Sequence, residues 1–301
     1  MNTRIKKLFD FEKSDAKLAA VLLTPTAILV LGVVAYPLIY SFIMSFGDVE
    51  FAQIKDYNFV GFHQYVKTFQ DPQFINSIKV SAIFVFFAVS IKLVLGTMVA
   101  VLLKEEFHGR SLARALIIIP WATPFVVVGL MWKWMLHSKV GVINFFLERL
   151  GIIEEYIPFL STRTWAMPSV ILSDVWQGTP FFIIIILAGL QTIPDELYEV
   201  AHIDGAGAIK SFFMITLPLV RFPMFIATIL GTILAINQFD LFFVLTKGGP
   251  GDITTNMTLF DWNNAFKFYH LSYASAISYV ILMFSMLLTL VYVFIMRKNQ
   301  E

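Results

Sequence analysis

The stretch that decides the fold is ELYEVAHIDGAGAIKSFFMITLP, residues 196–218, which lies between two long hydrophobic runs. It carries several charged residues, and each would cost about 3 kcal/mol at the centre of a membrane helix. Pro194, just ahead of it, is tolerated in the first turn of a helix, where its missing N–H would be unpaired anyway. Gly205 can end that helix in a left-handed conformation, and a second helix, 208–216, is predicted to stop before Pro218. The stretch therefore predicts a helix–glycine–helix element at the membrane surface.

The composition predicts that the rest of the chain lies largely within a bilayer. Hydrophobic residues make up 58% of the 301 residues and charged residues only 14%, whereas soluble domains carry about 25% charged residues. A helix needs about 20 apolar residues to cross the hydrocarbon core. Six stretches qualify: roughly 18–46, 79–103, 113–134, 167–190, 220–246 and 272–296. We therefore expect an all-α membrane protein, with residues 1–301 forming one transmembrane domain and residues 191–219 a polar loop.

The distribution of Lys and Arg predicts the orientation of these spans, because cytoplasmic loops are enriched in both residues. With both termini inside, twelve of them fall in inner segments and seven in the longer outer loops. This orientation places the 191–219 loop in the cytoplasm. The first hydrophobic run is longer than the apolar region of a signal peptide, so we expect it to be retained as a span.

No pattern typical of catalysis or nucleotide binding accompanies the spans. The sequence has no Gly-x-x-x-x-Gly-Lys-Ser/Thr phosphate loop and no cysteine, and its five histidines show no metal-ligand spacing. We therefore expect a chain that is not an enzyme, with no metal and no cofactor of its own. If it moves a solute uphill, the energy must come from a partner or from an ion gradient.

The opening stretch resembles the EAA loop of binding-protein-dependent ABC importer permeases. That pattern is Glu-Ala-Ala, three residues, Gly, nine residues, Ile, one residue, Leu-Pro, and every spacing matches here. The matching residues are Glu199, Val200, Ala201, Gly205, Ile215, Leu217 and Pro218, with Val200 replacing the middle alanine. Two outer segments, 59–74 and 245–276, resemble the sugar-type subgroup. The resemblance covers nearly the whole chain and implies the six-span type I importer permease fold with a coupling helix.

The resemblance also implies a set of partners in the bacterial cytoplasmic membrane. A second permease, expected to be a different chain, would complete the pathway, and an extracytoplasmic solute-binding protein would deliver the solute. Two ATPase subunits would hold ATP and magnesium and bind the cytoplasmic loop, and no nucleic acid is expected. The residues expected at the ATPase contact are Glu199, Ala201, Asp204, Gly205, Ala206, Ile215, Leu217 and Pro218.

Polar residues inside two spans form a candidate solute pathway. Asp174 and Gln177 share a helix face with Phe181, and Asn237 and Asp240 are predicted to share a face of the next span. The resemblance places most of these near the solute site of sugar importers. The assigned residues are Asp174, Gln177, Gly178, Phe181, Asn237, Gln238 and Asp240. The alternative is a set of interhelical hydrogen bonds that only hold the bundle together, worth about 0.6–2 kcal/mol each.

Lys92, near the middle of the second span, is expected to pair with Asp174 or Asp240, either structurally or as part of a gate. Aromatic residues near span ends, Trp121 among them, are expected to anchor or pack the helices.

The leading interpretation is the permease subunit of an importer for a mono- or oligosaccharide. The alternatives are an ion-coupled carrier that uses Asp174, Asp240 and Lys92, a permease for a non-sugar solute such as glycerol phosphate, and a scaffold with no pathway. Two intramembrane acids disfavour an anionic solute.

Overall fold

The computed structural model describes residues 15–49 and 57–298 and is mainly helical. The basic residues near the N-terminus that support the predicted orientation, Arg4 to Lys13, lie outside the described residues. The elements are α1 Asp15–Leu29, a π-helical turn Val30–Ala35, α2 Tyr36–Met44, β1 Gly47–Asp48, β2 Asn58–Phe59, α3 His63–Gln70, α4 Pro72–Lys104, α5 Arg110–Ala122, α6 Phe125–Met135, α7 Val142–Arg149, α8 Ala166–Leu190, α9 Glu196–Ile203, α10 Ala208–Ser211, a π-helical turn Phe212–Thr216, α11 Leu217–Ile236, α12 Asp240–Leu245, α13 Met257–Trp262, a π-helical turn Asn263–Lys267 and α14 Leu271–Lys298.

These helices confirm an all-α membrane protein. Within the described residues, five helical segments are long and apolar enough to cross a bilayer. They are Leu18–Met44, Pro72–Lys104, Ala166–Leu190, Ala208–Ile236 and Leu271–Ile295. A sixth span requires α5 and α6 to be counted together.

The predicted third span, 113–134, is formed by two helices rather than by one. The chain bends by 95° between α5 and α6. Pro124 disfavours helical geometry in the residue before it, and Thr123 accordingly adopts φ −83°, ψ 128°. Trp121, near the end of α5, contacts α8 through its carbonyl and its ring.

The helix of the fifth span differs at both ends from the predicted range 220–246. The helix begins at Ala208 and continues through Pro218 to Ile236, so the predicted stop before Pro218 is wrong. The π-helical turn explains this: the N–H of Leu217 bonds to the carbonyl of Phe212, five residues back, and this wider turn accommodates the proline that follows. At the other end, Asn237–Phe239 leave the helix and α12 starts at Asp240, so Asn237 and Asp240 do not share a helix face as predicted.

Helix α8 lies at the centre of the bundle and packs against α4, α5 and α11. Its Phe182 is 1% exposed and fills a slot between Gly96 on α4 and Gly231 on α11. A Cβ at Gly96 would lie 2.7 Å from the Phe182 Cβ. Small residues at these two positions therefore let three helices approach closely, as is common in membrane bundles.

Two segments between the spans, the β1–β2 pair and the start of α13, are attached to the last span and to the second. The β1–β2 pair is antiparallel, and the backbone N–H of Val49 donates to Ser272 Oγ at 3.0 Å. The side chain of Asn256 caps α13 by accepting from Leu259 N, and Met257 N donates to Ser81 Oγ on α4 at 3.0 Å. The last of these contacts attaches the start of α13 to α4.

Candidate transport site and coupling segment

The 196–218 stretch forms a short helix that ends at Gly205, as predicted. Gly205 has φ +75°, a left-handed conformation that side chains with a Cβ resist. The N–H of Gly205 bonds to His202 O at 3.0 Å and that of Ala206 to Ala201 O at 2.8 Å. This pair of bonds is the Schellman pattern, which satisfies the last carbonyls of a helix. The chain then enters α10 with Gly207 in an extended conformation.

Residues 196–209 present apolar side chains to the surface of the chain. Ile203 is 83% exposed and Ile209 is 78% exposed, and Val200 is also exposed. Glu199, Asp204 and Gly205 are exposed beside them, while Ala201 and Ala206 are half-buried. Exposed apolar side chains rimmed by polar residues are typical of a protein interaction site.

Contacts from two helices hold α9 in place. Lys104, the last residue of α4, has its Nζ 3.1 Å from Asp195 Oδ1 and 4.0 Å from the centre of the Tyr198 ring. The Tyr198 hydroxyl is 3.0 Å from Thr216 Oγ1, in the turn that leads into α11. A polar cavity of about 490 Å³ lies among these side chains. Residues 196–218 are therefore attached to α4, and α9 is also attached to the start of α11.

The predicted site residues at Asp174, Gln177 and Gln238 are buried between helices. Lys92 Nζ lies 2.7 Å from Asp174 Oδ2, with the side chains 5% and 4% exposed, so the predicted pairing with Asp174 is confirmed. Gln238 Nε2 donates to the other carboxylate oxygen at 3.5 Å, and Gln177 Nε2 donates to Trp121 O at 3.3 Å. These three side chains make the interhelical bonds that the alternative interpretation expected.

The remaining predicted pathway residues reach the surface of the chain. Asn237 is exposed at the break after α11, and Asp240 and Phe181 are partly exposed. The Phe181 ring stacks on Trp121, with centroids 6.1 Å apart and planes 22° apart. Trp121 was expected only to anchor or pack a span, and the signal that could have assigned it to the site is Pro124, which breaks the helix beside it.

The charge of Asp174 is compensated by Lys92, so the pair carries no net charge. A compensated carboxylate repels an anionic solute far less than an isolated one. Of the two intramembrane acids expected to disfavour an anionic solute, Asp174 therefore no longer counts against one.

Comparisons with known proteins place this arrangement in a family. Residues 92–300 match the family described as "Binding-protein-dependent transport system inner membrane component". The sulfoquinovosyl glycerol transport system permease protein SmoG of Agrobacterium fabrum is 37% identical over 285 residues, 95% of this chain and 92% of that protein. The trehalose/maltose transport system permease protein MalF of Thermococcus litoralis is 37% identical over 291 residues, 95% of this chain and 96% of that protein.

A solved structure has the same fold. A chain in the crystal structure of a bacterial ABC transporter involved in the import of the acidic polysaccharide alginate superposes with a TM-score of 0.83. It is 23% identical, and the match covers 99% of this chain and 100% of that one. With the family match and the two relatives, the conclusion is that the chain belongs to the binding-protein-dependent ABC importer permeases, the inner-membrane components of these transport systems.

Proposed function

We propose that the chain forms one half of the translocation pathway of an ABC importer for a carbohydrate and couples it to a separate ATPase through residues 196–218. The observation that carries the proposal is the continuous helical segment Ala208–Ile236. Its 29 residues extend about 43 Å at 1.5 Å per residue, enough to cross the hydrocarbon core. One end belongs to residues 196–218, which we name the docking segment, and the other precedes the break at Asn237. A displacement of the docking segment therefore moves the solute-facing end.

The ATPase contact in this proposal is the apolar surface of α9 and α10. Val200, Ile203 and Ile209 would enter a groove on the ATPase, and the small residues Ala201 and Ala206 leave room for close approach. Exposed Glu199 would pair with a basic residue of that partner. ATP and magnesium are held by the ATPase alone, and both termini of this chain lie on the same, cytoplasmic side as residues 196–218.

The solute in this proposal is a sugar or a glycoside. The stacked rings of Trp121 and Phe181 offer an apolar face to the C–H side of a sugar ring, and the exposed amide of Asn237 can bond to hydroxyl groups. The names of the two relatives refer to glycosides, sulfoquinovosyl glycerol and trehalose/maltose. Because Lys92 compensates Asp174, sugars that carry an anionic group belong to the proposed class.

A second permease of different sequence completes the pathway, and a solute-binding protein docks on the outer side. The outer surface available for this docking includes α3 and the segment that leads to α13. The resemblance of residues 59–74 and 245–276 to the sugar-type subgroup supports both assignments.

The test is reconstitution of the purified complex. A tagged copy of this chain is expressed in its native host and purified, and the second permease and the ATPase are expected to co-purify. The complex is placed in liposomes with ATP inside, and maltose, trehalose, sulfoquinovosyl glycerol and glycerol 3-phosphate are offered with the binding protein. We expect uptake of one of the glycosides that depends on ATP and on the binding protein. Uptake by this chain alone, driven by a sodium or proton gradient, would instead support the ion-coupled carrier.

A further inference from the structure

Gln238, in the break between α11 and α12, is held at both ends. Its backbone carbonyl accepts hydrogen bonds from Asn256 Nδ2 and from Thr258 Oγ1 at 2.9 Å. Both donors belong to the N-terminal end of α13. Its side-chain amide donates to Asp174 Oδ1 on α8 at 3.5 Å, and the residue is 4% exposed. Gln238 therefore connects the end of α11 to both α13 and α8.

Asp174 is held in turn by Lys92. The pair is 2.7 Å long, and a Cβ at Gly178 would lie 2.9 Å from Lys92 Cδ. The stem of Lys92 therefore lies directly on α8 one turn beyond Asp174. The contacts Lys92–Asp174–Gln238–Asn256 form a continuous path across α4, α8, the break and α13.

Stability does not account for a buried ion pair in this place. Replacing such a pair by apolar residues of similar volume is often neutral or stabilising, whereas removing one partner costs about 3–5 kcal/mol. Lys92 and Asp174 lie beside the break at Asn237–Phe239, where α11 ends with the hydrogen bonds of Asn237 N to Ile233 O at 3.3 Å and Gln238 N to Ala235 O at 3.2 Å. A charged acceptor strengthens the single side-chain bond that Gln238 makes to α8.

We propose that Lys92 and Asp174 are positioning residues that fix the broken end of α11, with Asn237 and α13, relative to α8. The inference rests on the proposed function only in taking Asn237 as facing the solute. Through Gln238, the pair holds the solute-facing turn in one position. Through Asn256, the same path reaches the outer segment.

The test uses cysteine-reactive spin labels. Because the sequence of this chain contains no cysteine, its labels attach only where cysteines are introduced. Labels are attached to Asn237→Cys and to Leu102→Cys, the latter at an exposed position on α4, and the distance between them is measured in the purified complex in lipid nanodiscs. Three backgrounds are compared: wild type, Lys92→Met with Asp174→Leu, and Lys92→Met with Asp174→Asn. The last removes both charges but keeps an oxygen that can accept from Gln238.

We expect one narrow distance in the wild type and at least a doubling of the distribution width in the Met/Leu variant. The Met/Asn variant is expected to stay close to the wild type in width. Without the two labelled cysteines, it is also expected to retain more sugar uptake than the Met/Leu variant. A Met/Leu variant that assembles and keeps the narrow distance overturns the inference. So does a Met/Leu variant that fails to assemble, because the pair is then needed for folding rather than for position. Equal broadening in both double variants overturns the path through Gln238.

The distance measurement tests the positioning role independently of the proposed function. The distance measurement requires neither solute nor ATP and is repeated on the isolated chain in nanodiscs. If no ATPase co-purifies and no sugar is transported, the proposed function fails while the distances still test the positioning role.

Discussion

Replacing Gly205 by alanine tests whether the docking segment depends on the left-handed turn after α9. Gly205 has φ +75°, and an added Cβ would meet no atom within 4 Å among the described residues. Within this chain the change therefore acts through the backbone conformation rather than through a collision. Gly207 supplies a matched control, because it lies two residues away with equally open space and φ −72°.

The magnitude follows from the conformation. A residue with a Cβ costs about 1–2 kcal/mol in the left-handed region, and every 1.4 kcal/mol is a factor of ten in affinity. If the ATPase binds the segment in the conformation described here, Gly205→Ala should weaken binding by about 5–30-fold. Gly207→Ala should change it by less than about twofold, since its φ is ordinary for alanine. Gly205→Asn should fall between them, because asparagine tolerates this conformation better.

The assay measures the affinity of the purified ATPase for the two-permease complex in nanodiscs, together with the stimulation of ATP hydrolysis by the sugar-loaded binding protein. Membrane insertion is followed in parallel by the yield of the monodisperse complex. Gly205→Asp places a negative charge at the C-terminal end of a helix, where it is unfavourable. We therefore expect that variant to insert normally and to lose coupling.

Two results would refute this reasoning. Equal affinity for Gly205→Ala and Gly207→Ala would mean that the left-handed turn is not needed for docking. Transport by Gly205→Asp at the wild-type rate would contradict the assignment of residues 196–218 as the coupling segment.

Three further predictions concern packing, the attachment of α9 and pH. Gly231→Ala should lower the free energy of unfolding by about 1–3 kcal/mol, because the added Cβ would collide with the Phe182 ring. Adding Phe182→Leu should restore the melting temperature. If it does not, Phe182 is not held in a slot against Gly231. Lys104→Met should reduce sugar-stimulated ATP hydrolysis about two- to fivefold without loss of insertion. Lys79→Met, at an exposed position near the other end of α4, serves as the control, and equal losses in the two variants would argue against a role for the Lys104 contacts. Burial raises the pKa of Asp261 to about 7 from 3.8, so the folded state binds the proton more tightly and stability should fall as the pH rises through 7. Asp261→Asn should reduce the fall of the melting temperature between pH 5 and pH 8. If the melting temperature falls as steeply as in the wild type, another group is responsible for the pH dependence.

The sequence was sufficient for features that depend on local chemistry. The apolar runs predict the spans because a bilayer requires continuous apolar length. Gly205 predicts the end of α9 because only a residue without a Cβ adopts φ +75° at little cost. The EAA spacing identified the family because the whole pattern lies within one short, continuous stretch of the sequence.

Tertiary structure decided the features that depend on which helices meet. Lys92 had two acids within predicted reach, and the packing of α4 against α8 chose Asp174. The alternation of polar residues at 237–240 suggested one helix face, yet capping of α13 by Asn256 and the bonds to Gln238 stabilise a break there instead. Pro218 favours a helix end by itself, and the wide turn at Phe212–Thr216 carries the helix past it. For the ion pair and for the break after α11, contacts distant in sequence decide the outcome, because a helix end or an ion pair differs in free energy by only a few kcal/mol from its alternative.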